Sequence, residues 1–382
     1  MDTGQLVAGV LAISAICAFL QLVWGYAQIP LLRDVPPGPV PAPKVSIVVA
    51  ARDEERHVES ATTSLLQQAY PDFELIVVDD RSSDRTLEIL ERIAESDARL
   101  QVATIEALPA GWLGKNNAMR VGAERASGEL LLFADADVVL ERQALSRAVR
   151  LLQLEHADHV TVVPEMVLPQ VSLAMLVNYG FMWGFLATRP WKTRDPRSSA
   201  SLGIGAFNLV RASAYRAIGG HSRIPLRPDD DLMLGKLLKR AGFRQIVAGG
   251  VEQVSVEWYR TLGEAARGFR KNAFAALRYS ALAAIGVPLA TIGFAVWPFV
   301  AVWLTGGAER VLYATAALAQ MAAYAYQAHK QRSRPWLAIT YPIAALCAIG
   351  IISAAVARTL RRRGIEWRGT FYSLDELRAN RI

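Results

Sequence analysis

Three clusters of carboxylates stand out because each sits where an apolar run gives way to a turn or a helix. Asp79-Asp80 ends the run Leu75-Ile76-Val77-Val78. A carboxylate at a strand end can accept a hydrogen bond from a base N–H or a ribose hydroxyl, whereas Asp84, four residues on, better suits the cap of a following helix. Asp135-Ala136-Asp137 follows Leu131-Leu132-Phe133-Ala134. Two carboxylates one residue apart at a strand exit can hold a hard divalent cation that also binds diphosphate oxygens. Asp229-Asp230-Asp231 follows Pro228 and precedes the helix-like stretch Leu232 to Arg240. Three adjacent acids repel one another, which raises at least one pKa on burial, and a helix dipole offsets part of that cost. The cluster reads either as a solvated acidic cap or as a general base that deprotonates an acceptor hydroxyl.

Cations complement these acids. Lys115, in Gly111-Trp112-Leu113-Gly114-Lys115, precedes a helix, where backbone N–H groups and an ammonium can face a phosphate. Arg267, Arg270 and Lys271 form a basic stretch shortly before an apolar segment; they suit the neutralisation of a leaving diphosphate and equally the anchoring of a helix at lipid headgroups. The histidines, His57, His156, His159, His221 and His329, show no metal-ligand spacing. No Gly-x-Gly-x-x-Gly follows the first strand, and no P-loop lysine or Gly-x-Ser-x-Gly elbow occurs. Cys17 and Cys347 lie far apart in apolar runs, so neither a disulfide framework nor a thiolate metal site is expected.

The elements that must position these groups read as an alternation of strands and helices. Val45 to Ala50, Phe73 to Val78, Leu100 to Ile105 and Leu130 to Ala134 are strand-like. Glu55 to Gln68, Asp84 to Ala94 and Asn116 to Ala126 are helix-like, which predicts an α/β domain with a mostly parallel sheet covered by helices. In such sheets ligands bind beyond the carboxyl ends of the strands, where the acids fall. Of the 382 residues 52% are hydrophobic and the formal charge is +7. The charge has no zinc-finger or RNA-binding signature beside it, so anionic headgroups and a diphosphate account for it better than nucleic acid. Leu6 to Ile29 is long and apolar enough to span a bilayer, as are Ala283 to Leu304, Val311 to Ala328 and Trp336 to Ala357. Basic residues flank the last run on both sides, so one of the four segments is expected to be re-entrant or interfacial. Leu173 to Leu186, followed by Arg189, Trp191, Lys192, Arg194 and Arg197, reads as a headgroup-layer segment or as a buried helix with a solvated loop.

Taken together, Val45-Ser46-Ile47-Val48-Val49-Ala50-Ala51-Arg52-Asp53-Glu54-Glu55, Asp79-Asp80, Asp135-Ala136-Asp137 and Asp230-Asp231 with Gly242 eleven positions on resemble family 2 glycosyltransferases of the GT-A fold over about Lys44 to Lys271. The resemblance implies that Ala50, Arg52 and Glu54 line a nucleotide pocket, Asp80 contacts the base and Lys115 lies near the nucleotide. It implies that Asp137, with Asp135, serves a Mg or Mn ion and the diphosphate. Asp231 would be the catalytic base, with Asp230 in the place of the family's Glu. Asp53 stands where many members carry Asn, and Lys271 replaces the Trp of processive synthases, which argues against polymer synthesis. The arrangement is closer to transferases acting on ceramide, carotenoid or hopanoid-type lipids.

The expected organisation is an anchor at 1–30, a proline-rich spacer at 31–43, a cytoplasmic catalytic domain at 44–279, membrane segments at 280–357 and a basic tail at 358–382. A multi-pass inner-membrane enzyme would then move one sugar, with inversion, from a nucleotide-diphosphate sugar to a lipid. Transfer to a polyprenyl phosphate and a non-catalytic scaffold are the alternatives.

Overall fold

Strands of alternating reach build the centre of the protein. In the computed structural model, which describes residues 2–38, 41–269, 274, 277, 279–367 and 370–379, a helix α1 (Thr3–Ala27) precedes the first strand, β1 (Val45–Ala51). There follow α2 (Val58–Leu66), β2 (Phe73–Asp80), α3 (Thr86–Ser96), β3 (Leu100–Ile105), α4 (Gly114–Arg125), β4 (Leu130–Asp135) and β5 (Val138–Leu140). The chain continues through α5 (Ala144–Leu154), β6 (His159–Val163), β7 (Glu165–Met166) and α6 (Val171–Thr188). Next come β8 (Asn208–Arg211), α7 (Ala212–Ala217), α8 (Asp230–Arg240), β9 (Gln245–Gly249), β10 (Val254–Val256) and α9 (Leu262–Gly268). The final part holds α10 (Ala281–Thr291), α11 (Trp297–Leu304), α12 (Gly307–Lys330), α13 (Tyr341–Arg362), the hairpin β11 (Gly364–Trp367) and β12 (Thr370–Ser373), and α14 (Leu374–Ala379).

The chain divides into two compact units. The first comprises Ile29–Val167, Arg189–Trp258 and the chain's last residues; the second comprises Met1–Gln28, Leu168–Thr188 and Tyr259–Arg378. In the α/β unit a seven-stranded sheet runs β3-β2-β1-β4-β8-β6-β9, parallel throughout except that β8 lies antiparallel to both its neighbours. The chain steps outward from β1 to β2 and β3 and then returns to β4 on the other side. That reversal opens a crevice at the carboxyl ends of β1 and β4.

Residue alternation decides which helices cover which face. Val45, Ile47 and Val49 of β1, with Leu75, Val77, Leu130 and Leu132, pack against Leu65 of α2, Leu90 of α3 and Leu145 and Val149 of α5. Val48, Leu131 and Phe133 face the other way, onto Met119 of α4 and Leu234 and Leu238 of α8. The strand-ends carry the polar residues outward, so burial of the apolar face and presentation of the acids are one event.

The stretch expected to be a spacer is docked on the α/β unit instead. Leu32 is fully buried, Arg147 donates to the Arg33 carbonyl at 2.7 Å, the Gly38 amide donates to Ser146 Oγ at 2.7 Å, and Arg33 pairs with Glu252 at 3.0 Å. The continuous catalytic domain expected over 44–279 is likewise interrupted, because α6 and Tyr259–Arg378 belong with the helical unit.

Four helical stretches are long and apolar enough to cross a membrane: Thr3–Ala27, Val171–Lys192, Ala281–Leu304 and Pro335–Arg362. Three match the expected spans. The expected span Val311 to Ala328 is not among the four: it lies in α12, a helix diluted by Gln320 and Gln327, whose side chains are both buried within the helical unit, and Val171–Lys192 stands in its place. Tyr26 donates to Gln327 Oε1 at 2.8 Å and Gln320 Nε2 donates to the Phe294 carbonyl at 2.7 Å, which gives each glutamine one partner where water is excluded. Long apolar helices of this kind are what a membrane-associated protein carries.

Candidate active site

The site grows from strand register. Ala50 of β1 lies opposite Val78 of β2 and Asp135 of β4, and Ala51 lies opposite Asp79. The two acidic strand-ends therefore flank β1 at two strand spacings, roughly 9.6 Å. Both Asp79 and Asp80 are buried; the Ser82 amide donates to Asp79 Oδ2 at 3.2 Å. Around Asp80 gather Arg81, whose Nε donates to Oδ1 at 2.8 Å, and Arg52, whose Nη1 lies 3.7 Å from Oδ2. Gly114 at the start of α4 abuts the same carboxylate so closely that a Cβ there would fall 2.0 Å from Asp80 Oδ2.

The loops after β1 and β2 are stitched together. Asp53 and Arg81 both adopt left-handed backbone, at φ 53° and 60°. Asp53 Oδ1 accepts from the Ser83 amide at 2.7 Å, and the Asp53 amide donates to Ser82 Oγ. Among non-glycine residues Asp and Asn tolerate that conformation best, so Asp53 suits its place in the loop. Glu54 follows, its amide donating to Thr86 Oγ1 at 2.8 Å.

Lys115 joins the clusters. Its ammonium lies 2.7 Å from Asp135 Oδ1 and 3.6 Å from Asp230 Oδ1. Burial alone would lower its pKa, but Asp135, Asp230 and Asp231 outweigh it and hold the lysine firmly protonated. The docking of α4 explains the meeting: the Leu113 amide donates to the Pro225 carbonyl at 2.8 Å, and Asn116 Nδ2 donates to the Ile224 and Arg227 carbonyls at 2.6 and 2.9 Å. These bonds tie the start of α4 to the segment that leads into the three acids.

The three acids then divide their work. Asp229 is taken by Arg227 in a two-pronged pair at 2.8 and 2.6 Å. Asp230 is buried and faces Lys115. Asp231, in the first turn of α8, accepts the Gly205 amide on Oδ2 at 2.8 Å and the Leu232 amide on Oδ1 at 2.7 Å. Desolvation raises its pKa, with Lys115 opposing and Asp135 adding to the shift.

The loop Gly203-Ile204-Gly205 lies between Asp135 and Asp231, and the sequence reading passed over it. A Cβ on Gly203 would fall 1.9 Å from the Asp231 carbonyl oxygen, and one on Gly205 would fall 2.5 Å from Asp135 Oδ2. The paired glycines were the available signal, since glycine marks close backbone approach.

Asp137 is pushed up to about 7 by burial, then by Asp135 and Glu54. Carboxylates crowded to this degree, with one lysine as counter-ion, suit a divalent cation. Among the described residues no group of three His, Cys, Asp or Glu side chains could hold a metal alone. A cation on Asp137 and Asp135 would take its remaining ligands from diphosphate and water, as a hard ion at a substrate site does. Arg267 lies in α9 of the helical unit, and Arg270, with Lys271, falls outside the described residues. Trp191, expected either at a headgroup layer or in a solvated loop after a buried helix, is buried, and Arg194 pairs with Glu155 at 2.8 Å.

Residues 46–218 match the model for glycosyl transferase family 2. The chain is 28% identical over 200 residues to a 4,4'-diaponeurosporenoate glycosyltransferase of Staphylococcus haemolyticus, an alignment covering 51% of this chain and 52% of that one. It is 34% identical over 122 residues to a beta-monoglucosyldiacylglycerol synthase of Trichormus variabilis, covering 31% and 26% of the two chains. Matches to these curated relatives thus span about half of their length or less. Among solved structures the fold is similar to that of a mannosyltransferase from Pyrobaculum calidifontis in complex with GDP-Man and Mn2+, with a TM-score of 0.59 and 18% identity over 93% of this chain and 98% of that one.

Proposed function

The chain belongs to glycosyl transferase family 2, and from that premise we propose that it moves a single sugar, with inversion, from a nucleotide-diphosphate sugar to the hydroxyl of a membrane lipid. One observation carries the reading: the Gly203-Gly205 loop touches both Asp135 and Asp231, and Lys115 pairs with Asp135 beside them, near the carboxyl end of β4. That closeness supports a donor site and a proton acceptor side by side.

The donor's base and ribose would lie over Ala50 and against Arg52 and Asp80, between the loops that Asp53 and Glu54 stitch together. Its diphosphate would reach Lys115 and the carboxylates of Asp135 and Asp137, which would also hold a Mg or Mn ion. When bound, that ion supplies Lewis-acid stabilisation of the departing diphosphate. Asp231 removes the proton from the acceptor hydroxyl. The acceptor oxygen forms its bond to the anomeric carbon as the carbon–oxygen bond to the diphosphate breaks, and the nucleoside diphosphate leaves with the electron pair. The raised pKa of Asp231 brings its basicity toward working pH, which is what a general base needs.

A hydroxyl acceptor is favoured over a polyprenyl phosphate by the same electrostatics. Asp230 and Asp231 would repel an acceptor that arrives as an anion, and such an acceptor needs no base. A lipid is supported by the long apolar helices and by the lipid-like acceptors in the names of the relatives from Staphylococcus haemolyticus and Trichormus variabilis. We place the α/β unit in the cytoplasm and the enzyme in the inner membrane on the charge pattern that flanks the apolar segments.

The test is to incubate membranes with and without the protein with a panel of labelled nucleotide sugars and extract the lipids. Label in one lipid species, dependent on divalent cation and lost in Asp231→Asn, is expected. Label confined to a water-soluble glycan or protein would overturn the lipid assignment.

A further inference from the structure

Behind the acidic cluster lies a buried arrangement to which the mechanism above assigns no part. His221 follows Gly219 and Gly220, both with left-handed backbone at φ 77° and 51°. A Cβ on Gly220 would fall 2.4 Å from the Tyr215 ring, so the chain can fold over that tyrosine only with glycine there. The fold-over brings the Tyr215 hydroxyl to both polar ends of the histidine's own backbone and ring: it accepts the His221 amide at 3.1 Å and lies 2.8 Å from Nδ1.

With the amide already donating to it, the hydroxyl has its single proton free to give to Nδ1, and in that tautomer the ring's own proton sits on Nε2. Nε2 lies 4.0 Å from Asp230 Oδ2, while the other oxygen of that carboxylate lies 3.6 Å from Lys115 Nζ. Phe133 of β4 closes the ring's flank edge-to-face, with centroids 5.0 Å apart. The imidazole is 2% exposed and Asp230 4%. Burial, with Lys115 nearby, holds His221 down at about 3, so the ring stays neutral beside the ammonium and brings no second cation. What remains is a neutral ring edge beside one oxygen of a carboxylate whose other oxygen faces the lysine.

We propose that His221, held by Tyr215, is a positioning residue that orients the Asp230 carboxylate and through it fixes the Lys115 ammonium where the donor diphosphate arrives. The inference rests on the donor-site reading above and extends it to a residue that touches no substrate. A purely structural histidine would affect nucleotide binding through stability and would do so whether or not Lys115 is present.

A double-mutant cycle separates these cases. The full-length protein in detergent is titrated with UDP and GDP in the presence of Mn2+, as wild type, His221→Phe, His221→Gln, Lys115→Met and His221→Phe/Lys115→Met. His221→Phe should weaken binding of the preferred nucleotide by about tenfold, within the range such couplings span. His221→Gln, which keeps an N–H near the position of Nε2, should stay within about threefold of wild type. In the Lys115→Met background the Phe substitution should add less than about twofold. An equal loss in both backgrounds, or a Gln variant as weak as the Phe variant, would overturn the proposal. Should His221→Phe not fold, Tyr215→Phe removes the anchor at Nδ1 and keeps the ring; its partial loss must likewise vanish in Lys115→Met, and persistence there counts against the proposal. If the wild type binds neither nucleotide, the donor-site reading itself fails and this inference falls with it.

Discussion

At the scale of single residues, identical side chains have been given different work by their neighbours. Asp137 is crowded by Asp135 and Glu54, whereas Asp231 is cradled by two backbone amides. Asp137→Asn is expected to abolish Mn2+-dependent nucleotide binding and to leave the thermal unfolding midpoint at neutral pH unchanged or raised, because a carboxylate pushed up to about 7 by burial and by Asp135 and Glu54 does not stabilise the fold when ionised. Asp231→Asn should retain nucleotide binding and lose transfer by roughly 10²- to 10⁴-fold, the usual worth of a general base. A collapse of nucleotide affinity in that variant would assign Asp231 to the donor instead. Two histidines set an acid limit of a different kind. His159, its Nδ1 taken by Gln245 Nε2 at 2.6 Å and its Nε2 by Asn208, is held at about 4 by burial, and His221 at about 3. Unfolded, both rings take protons below about 6.5. The unfolded chain therefore binds more protons between these values, so their contribution to stability is complete above pH 6.5 and is lost as pH falls toward 4. Each ring accounts for up to about 1.4 kcal/mol per pH unit in that window. Urea midpoints at pH 7 and pH 5 should differ less in a His159→Gln/His221→Gln variant than in the parent.

At the scale of elements, close approach matters more than propensity. The Gly203-Ile204-Gly205 loop reaches Asp135 and Asp231 only because two of its residues lack a Cβ. Gly205→Ala would press on Asp135 Oδ2 at 2.5 Å, so Mn2+-dependent nucleotide binding should weaken while the far-ultraviolet circular dichroism stays that of the parent. Unchanged binding would show that the carboxylate can yield without consequence. In the helical unit α1 and α12 meet through small residues, Ala12 and Ala15 against Ala316. Small side chains let helix backbones approach closely, and an added bulk forces them apart. Ala316→Leu should lower stability by about 1–3 kcal/mol, the usual cost of overpacking, read as a lower melting midpoint in detergent.

At the scale of the whole molecule, the long apolar helices predict how the protein partitions. It should remain with membranes through high salt and alkaline carbonate and be released only by detergent, since its apolar stretches exceed the length that crosses a bilayer. Release by carbonate alone would mean that these helices pack only on one another. The same helices show where a hydropathy reading goes astray. Leu173 to Leu186 reads as interfacial or buried, yet α6 is among the helices long and apolar enough to span, while α12 carries buried glutamines that find partners within its own unit. Whether a glutamine is tolerable inside a helical bundle depends on what faces it, and no single stretch of sequence contains that.

Local pattern alone determined the parallel sheet and the placement of acids at its strand exits, because a buried strand must end where apolar residues stop and its polar successor must face outward. Strand boundaries were accordingly read to within a residue or two, as with Leu130 to Ala134 against β4 at Leu130–Asp135. Pattern also singled out Lys115 and the acids at 230 and 231. Only the tertiary structure decided that Lys115 meets both clusters, that Asp229 is spent on Arg227 and that His221 backs Asp230. The contacts of Lys115 and His221 join residues brought together by the docking of α4 on the loop before α8 and by the fold of the Gly219-Gly220 turn, whereas Asp229 and Arg227 are near neighbours whose pairing depends on the path of that loop. Strand ends are local consequences of hydrophobic burial, whereas the partners of a charge are a property of the whole packed chain.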